Sequence, residues 1–529
     1  MKQISENENQ SISCNGWIRT IALPPPTLHD NTSDADRLNY ALRKKLHADW
    51  VNIDLPVLKQ LPFSLREWDY TLRCILIQEK NRWTVTGITD PRSESPVMGL
   101  AVDLGTSRVV LRLLDLNSGR TLADEAFDNP QLAVGPDILS RIHYCDQPHG
   151  LERLNRLIVE ALNRHIESMC RSLTQAVEDI FLISLSGNTC MTHLLMGLSP
   201  HWIIREPYIP VVNRPGLEKT SDLGICVNPS ARAVIFPNIG SYFGGDLVAG
   251  ILFSGLHQTE DTGILVDVGT NAEVVLGNKN WLIACAGAAG PALEGGVTRM
   301  GMMAGPGVID QVAIDPETRD ICVHTIHEER PVGICGSGLI DLAAHLFLSG
   351  MVDVRGKFVP RTCGKRLAIV SGLPGVEIVS ADASGTGTAI FITQADLDSL
   401  IRSKAAMYTI LETITATVNM LPTDLKTFYV AGTFGSFINP VSAVSIGMLP
   451  DLPLESYRSL GNSSLQGAAR VLTDSSSLDE IDRIRDRITY LELNVNQEFM
   501  NRFSAAKFLP HTDRSLFPSV QIPIQQNNF

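Results

Sequence analysis

Apolar and polar residues follow two different rhythms along this chain. In the segment YTLRCILIQEKNRWTVTGI, residues 70–88, they alternate with the period of two expected of strands, and the pattern turns over at Glu79, Lys80 and Asn81. This predicts a hairpin. Upstream, WIRTIALPPPTLHDNTSDADRLNYALRKKL reads as a short apolar strand, a proline-fixed turn and a helix with Asp34 and Asp36 near its positive end. Residues 1–95 therefore predict a linker and a small α+β domain, closed by the polar stretch TDPRSESPVMG.

From Leu100 onward the rhythm changes. Leu151 to Leu173 carry apolar residues at three- and four-residue spacing, the signature of an amphipathic helix. Next, DIFLISLSGNTCMTHLLMG runs from a buried strand through a polar turn into another helix, and FYVAGTFGSFIN is again a strand that ends in glycines. Strands that alternate with helices predict an α/β architecture over residues 96–529. The stretch from Ser371 to Gly387 has no helical period and reads as hairpin and loop; its G-T-G is too weak a signal for a cofactor site.

Composition narrows the function. With 529 residues, 44% hydrophobic and 19% charged, the chain can bury several cores as an ordinary globular protein. A net charge of −13 leaves no excess of Lys and Arg to displace phosphate counterions, which argues against nucleic acid as a partner. MKQISENENQ at the start has neither the cationic nor the apolar segment of a signal peptide, and no apolar run approaches a membrane span. The expectation is a cytoplasmic protein with no membrane association.

The ten cysteines, at 14, 74, 145, 170, 190, 226, 285, 322, 335 and 363, contain no C-x-x-C and no cluster-binding run, so they read as buried reduced thiols. Cys322, His324 and His327 lie close in sequence, but on a strand the two histidines point to opposite faces, which disfavours a shared metal.

One phrase occurs twice. LAVDLGTS surrounds Asp103, and ILVDVGTN surrounds Asp267, 164 positions later. In each, an apolar strand ends at an acid, turns on a glycine and presents a hydroxyl with backbone N–H groups before a second strand begins. Such a turn can take phosphate oxygens on its N–H donors while the acid holds water around Mg²⁺. Asp-Gly-Thr alone is also an ordinary tight turn; the repetition in one context is what favours phosphate. There is no P-loop and no dinucleotide fingerprint, so the nucleotide must be held another way.

The paired turns and the late strand ending in VAGTFGSFINP resemble the phosphate-one, phosphate-two and adenosine motifs of the actin-like ATPase superfamily, in which two ribonuclease-H-like halves close on ATP and Mg²⁺. SLSGNTCMTHLLMG, EPYIPV, PNIGSYFGGDLVAGIL, CAGAAGPALEGG, GICGSGLIDLAAHLF, SIGMLPDLPLE and EFMNRFSAAKFLPHTD further resemble, in order, signature segments of the reductive activators of corrinoid proteins. The resemblance extends from about Leu100 to Val520, and the first 95 residues look like the linker and middle domain of those activators.

By that resemblance the chain is an ATPase that returns the cobalt(II) of a corrinoid protein to cobalt(I). Asp103 and Asp267 should hold Mg²⁺ through water; Gly105, Thr106 and Ser107, and Gly269, Thr270 and Asn271, should meet phosphate oxygens. Gly432, Thr433, Phe434 and Gly435 should pass beneath the adenosine, although Phe434 is equally suited to core packing. Asn188 could orient water or the terminal phosphate, or simply cap a helix; Asp246 could reach the same metal, or cap the helix that Leu247 starts. Gly336 and Ser337, opening the helix LIDLAAHLF, and the loop from Cys285 to Gly296 are placed near the ribose and the corrinoid partner. Relatives often carry hydroxyls after the Cys285 position, where this chain has Ala286 and Gly287.

These activators normally take their electron through an iron–sulfur domain on the same chain. The cysteine spacing here provides no iron–sulfur cluster, so a separate electron donor such as a ferredoxin is expected, and a homodimer is kept as a further expectation. Two alternatives share the fold: a small-molecule kinase, for which no sugar-kinase signature is found, and a non-catalytic ATP-binding adaptor for a corrinoid protein.

Overall fold

The computed structural model describes residues 2–3, 16–79, 82–269, 272–287, 298–432, 438–491 and 498–521. It divides into two compact units, Asn7–Phe253 with Ser463–Asp486, and Met1–Glu6 with Ser254–Asn462 and Arg487–Phe529.

The first unit begins with the small α+β domain. Its helix Asp34–Leu46 starts where the Ser33 side chain accepts from the Asp36 N–H and ends at His47 in the left-handed conformation. The strands Thr71–Glu79 and Arg82–Thr89 pair antiparallel with Glu79 opposite Arg82, and complete a four-stranded sheet with Ile18–Ala22 and Val51–Ile53. Leu38, Leu42, Leu61, Leu65, Leu72 and Leu76 form its core. The polar stretch after Thr89 is shorter than its composition suggests. Met98 is fully buried and already opens the next strand.

That strand, Met98–Leu104, lies inside a six-stranded sheet. It turns back into Arg108–Asp115 and Thr121–Asp128, while Ile180–Gly187 and then Arg232–Ile235 lie parallel on its other side. The long helix Gly150–Ser172 buries Leu154, Ile158, Leu162 and Ile166, spaced by four residues, against this sheet.

The second unit repeats the plan. Gly263–Val268 turns back into Ala272–Gly277 and Leu282–Gly287, and lies parallel to Thr427–Ala431, which is parallel to Tyr457–Gly461. Setting aside the edge strands Gly216–Lys219 in the six-stranded sheet and Lys2–Gln3 and Ile488–Tyr490 in the seven-stranded one, the remaining five strands of each, numbered in chain order, read 5-4-1-2-3. This is the ribonuclease-H-like order, and its duplication is the actin-like fold. Each sheet thus ends its parallel strands on the same edge, the edge where α/β folds bind ligands. The stretch from Ser371 begins at the turn between the paired strands Leu367–Val370 and Leu373–Val379, so the hairpin starts a few residues earlier than its pattern implied.

Candidate functional site

Along Met98–Leu104 every residue is buried except Asp103, which is half-buried at the penultimate position. The alternation of a strand sends Val102 and Leu104 into the core and Asp103 to the opposite face. Its Oδ1 accepts a hydrogen bond from Ser464 Oγ at 2.7 Å, and that hydroxyl also meets Ser186 Oγ at 2.8 Å. Ser464 lies in the first turn of the helix Ser463–Thr473, where the dipole favours a carboxylate.

The turn after Asp103 is pinned from behind. Asn129 donates from Nδ2 to the Gly105 carbonyl at 2.9 Å and from its backbone N–H to the Ser107 carbonyl at 2.8 Å; Arg141 Nη2 donates to the Thr106 carbonyl at 2.7 Å. Because each peptide is planar and trans, carbonyls drawn to one side send the N–H groups of Thr106 and Ser107 to the other. Among the described residues neither N–H finds an acceptor. Thr106 is half-buried and Ser107 exposed, so both N–H groups are open to a ligand, and successive outward N–H groups suit an anion. Gly105 is obligatory here, because a Cβ would sit 2.3 Å from the Arg108 carbonyl oxygen.

Asn188 and Asp246 join the same cluster. Asn188 caps the helix Thr189–Leu195, its Oδ1 accepting from the Met191 N–H at 2.9 Å, while Nδ2 donates to Thr106 Oγ1 at 2.9 Å. It therefore caps and tethers at once. Asp246 sits in the first turn of the helix Gly245–Ser254, and Gly244 packs so closely that a Cβ would lie 2.4 Å from Asn188 Cα. Burial, and secondarily the neighbouring charge of Asp103, push the Asp246 carboxyl up to about 7.

In the second unit Asp267 holds the same penultimate, half-buried position in its strand. Gly432 has φ 82°, and a Cβ there would approach Asp267 Oδ1 to 2.9 Å, so backbone and carboxylate are in direct contact. Gly269 is half-buried beside them. Thr270, Asn271, Thr433, Phe434 and Gly435 lie outside the described residues, as does most of the loop from Cys285 to Gly296. Gly336 and Ser337 open the helix Gly336–Leu348 and are buried; Ser337 Oγ meets Cys335 Sγ and the Asp310 carbonyl, each at 3.2 Å.

His324 Nδ1 pairs with Asp310 Oδ1 at 2.7 Å, and no group of three metal-binding side chains occurs among the described residues. No helix among them is long and apolar enough to cross a membrane.

Four residues escaped sequence reasoning: Ser464, Arg141 and Asn129 around the turn after Asp103 in the first unit, and Glu273 in the second, directly opposite Asp267 on the neighbouring strand. Asn129-Pro130 does carry a helix-start signal, since the Asn129 side chain caps the short helix Pro130–Ala133. Nothing in the sequence near Ser464 or Arg141 indicates their partners.

Comparison with known proteins places this geometry. Family models match residues 8–95 as the RACo linker region, 98–259 as the RACo middle region and 261–521 as the C-terminal domain of RACo, the ASKHA domain. The corrinoid activation enzyme RamQ of Eubacterium limosum is 30% identical over 473 residues, covering 85% of this chain and 79% of RamQ. The chain belongs to the RACo family. The RACo relationship extends to a solved structure, a reductive activator for corrinoid, iron-sulfur protein, with 35% identity, a TM-score of 0.87, and coverage of 98% of this chain and 83% of that one. A more distant relative, a [Co(II) methylated amine-specific corrinoid protein] reductase of Methanosarcina barkeri, is 25% identical over 76% of this chain and 75% of its own.

Proposed function

We infer that this RACo-family chain is an ATPase that reductively activates a corrinoid protein, returning cobalt(II) to cobalt(I) with an electron from a separate donor such as a ferredoxin. The observation that carries the reading is the turn Gly105–Ser107: a glycine-dependent loop with its carbonyls tied back and two N–H groups offered outward, in a chain whose relatives are named for corrinoid activation. The cysteine spacing supports a separate donor.

Thr106 and Ser107 hold phosphate oxygens, and Asn188 fixes the Thr106 hydroxyl. Ser464, in the first turn of its helix, orients Asp103. Asp246, in the same cluster as Asp103 and Asn188, takes the proton of the water that attacks the terminal phosphorus as the bond to ADP breaks. Asp103 and Asp267 would hold Mg²⁺, which when bound offsets the phosphate charge.

Making cobalt(I) is uphill for biological donors, each 59 mV of one-electron deficit corresponding to about 1.4 kcal/mol. ATP turnover can supply this only if the two nucleotide states bind the cobalt(II) partner with different affinities. The test mixes the chain with a cobalt(II) corrinoid protein, a strong reductant and ATP, and follows cobalt(I) absorption. A rise that requires ATP is expected; the same yield without nucleotide would refute the assignment.

A further inference from the structure

Behind the turn Gly105–Ser107 lies a charge with no ion-pair partner among the described residues. Arg141, in the helix Ile138–Cys145, is fully buried. Its Nη2 donates to the Thr106 carbonyl at 2.7 Å, Nε to the Gly135 carbonyl at 2.9 Å, and Nη1 to Gln131 Oε1 and Met191 Sδ, each at 3.1 Å. All four partners are neutral. Among the described residues no carboxylate lies within ion-pair distance; the nearby Asp137 is exposed and spends its oxygens on the Ser140 N–H and hydroxyl.

A buried guanidinium without an anion is expensive, and burial indeed drives its proton affinity down. Holding carbonyls does not require it, because Asn129, a neutral amide beside it, already holds Gly105. What arginine adds is charge. Delivered to the Thr106 carbonyl, that charge polarises the peptide whose N–H belongs to Ser107, on the outward side. We propose that Arg141 is a positioning and affinity-setting residue for phosphate, supplying from behind the turn the positive charge that matches the nucleotide's polyphosphate. This rests on the reading of Gly105–Ser107 as a phosphate turn.

Two features follow. The contribution of Arg141 grows with the charge of the ligand, so it favours ATP over ADP and is indifferent to adenosine. It is also abolished by neutralising Arg141 where it stands. Met191, fully buried with its sulfur on Nη1, offers that position: Met191→Glu puts a carboxylate where the sulfur was, and Met191→Gln has the same shape without the charge.

The experiment measures binding of ATP, ADP and adenosine by titration calorimetry to the full chain and to R141M, R141K, M191E and M191Q, with folding checked by circular dichroism. R141M is expected to weaken ATP by roughly tenfold or more, ADP by less and adenosine not at all, with R141K recovering part of the loss. M191E is expected to reproduce the R141M order while M191Q binds ATP more tightly than M191E. Equal loss for ATP and adenosine in R141M, or equal ATP affinity in M191E and M191Q, would overturn the proposal; should R141M fail to fold, the Met191 pair decides alone. A wild-type chain that bound no ATP would remove the proposed function and this inference together, whereas tight ATP binding indifferent to these variants would remove the inference only.

Discussion

Asp246→Asn should change how the metal-free, nucleotide-free protein responds to pH. The Asp246 carboxyl has an ordinary value of 3.8 and is raised to about 7 in the fold, first by burial and then by Asp103. Between those two values the native state retains a proton that the unfolded chain has released. Stability therefore falls as pH rises from about 4 to about 7 and levels off above, because the folded state binds more protons than the unfolded one throughout that window. The full rise corresponds to at most about 4 kcal/mol, since each pKa unit is worth about 1.36 kcal/mol. Asparagine keeps the oxygen that accepts from the Leu247 N–H at 2.9 Å and carries no proton to lose. The stability of the variant relative to the wild type should thus rise by up to about 3 kcal/mol between pH 5 and pH 8, the part of the titration that lies in that range. Side-by-side urea unfolding at the two pH values measures it, and comparing the proteins with each other cancels every other titrating group. A stability difference that stays constant across that range would refute the reasoning.

Ser464→Ala removes the 2.7 Å hydrogen bond to Asp103, a charge-assisted contact worth about 1.5–3 kcal/mol, and should raise the Mg²⁺ concentration that half-saturates ATP turnover, with Ser464→Thr restoring part of it; an unchanged Mg²⁺ dependence would count against the orienting role. Gly432→Ala forces a side chain into φ 82° at about 1–2 kcal/mol and drives its Cβ against Asp267, so ATP affinity should fall more than that strain alone predicts; retained affinity would show that Asp267 is not needed there. Lys404, fully buried, donates to the Phe508 and Pro510 carbonyls at 2.5 and 2.7 Å; Lys404→Ala should release the C-terminal segment and speed tryptic cleavage at exposed Arg514, and an unchanged cleavage rate would show that other contacts hold it.

What was legible in the sequence had a local cause. Gly150–Ser172 announced itself through spacing, because a helix against a sheet must bury one stripe. The two acidic turns were legible because a strand, an acid and a glycine are contiguous. Ser464 was not, since it reaches Asp103 across 361 positions and a serine at a helix start has an ordinary capping explanation. Asn188 was readable as a cap or as a ligand group, and the geometry shows a cap whose free amide holds Thr106. The start of Met98–Leu104 was hidden by the proline and serines before it. The division into units was hidden too. Ser463–Thr473 follows a strand of the second sheet, yet it packs in the first unit, where a Cβ on Gly467 would lie 2.1 Å from the Ala249 carbonyl oxygen.

The duplication also explains why the two copies of one phrase need not do the same work. Asp103 and Asp267 occupy equivalent strand positions, but four residues separate Leu104 from its partner Val109, whereas three separate Val268 from Ala272. The shorter turn changes which side chain faces the acid: Val110 lies opposite Asp103, and Glu273 lies opposite Asp267. The second acid therefore faces another carboxylate across the ladder, while the first turn has the buried guanidinium of Arg141 behind it, which favours an anion. Two phrases that differ by little in wording thus set different charges beside their acids, because one residue fewer in the turn shifts the facing strand by one position and brings Glu273, rather than a valine, opposite the acid.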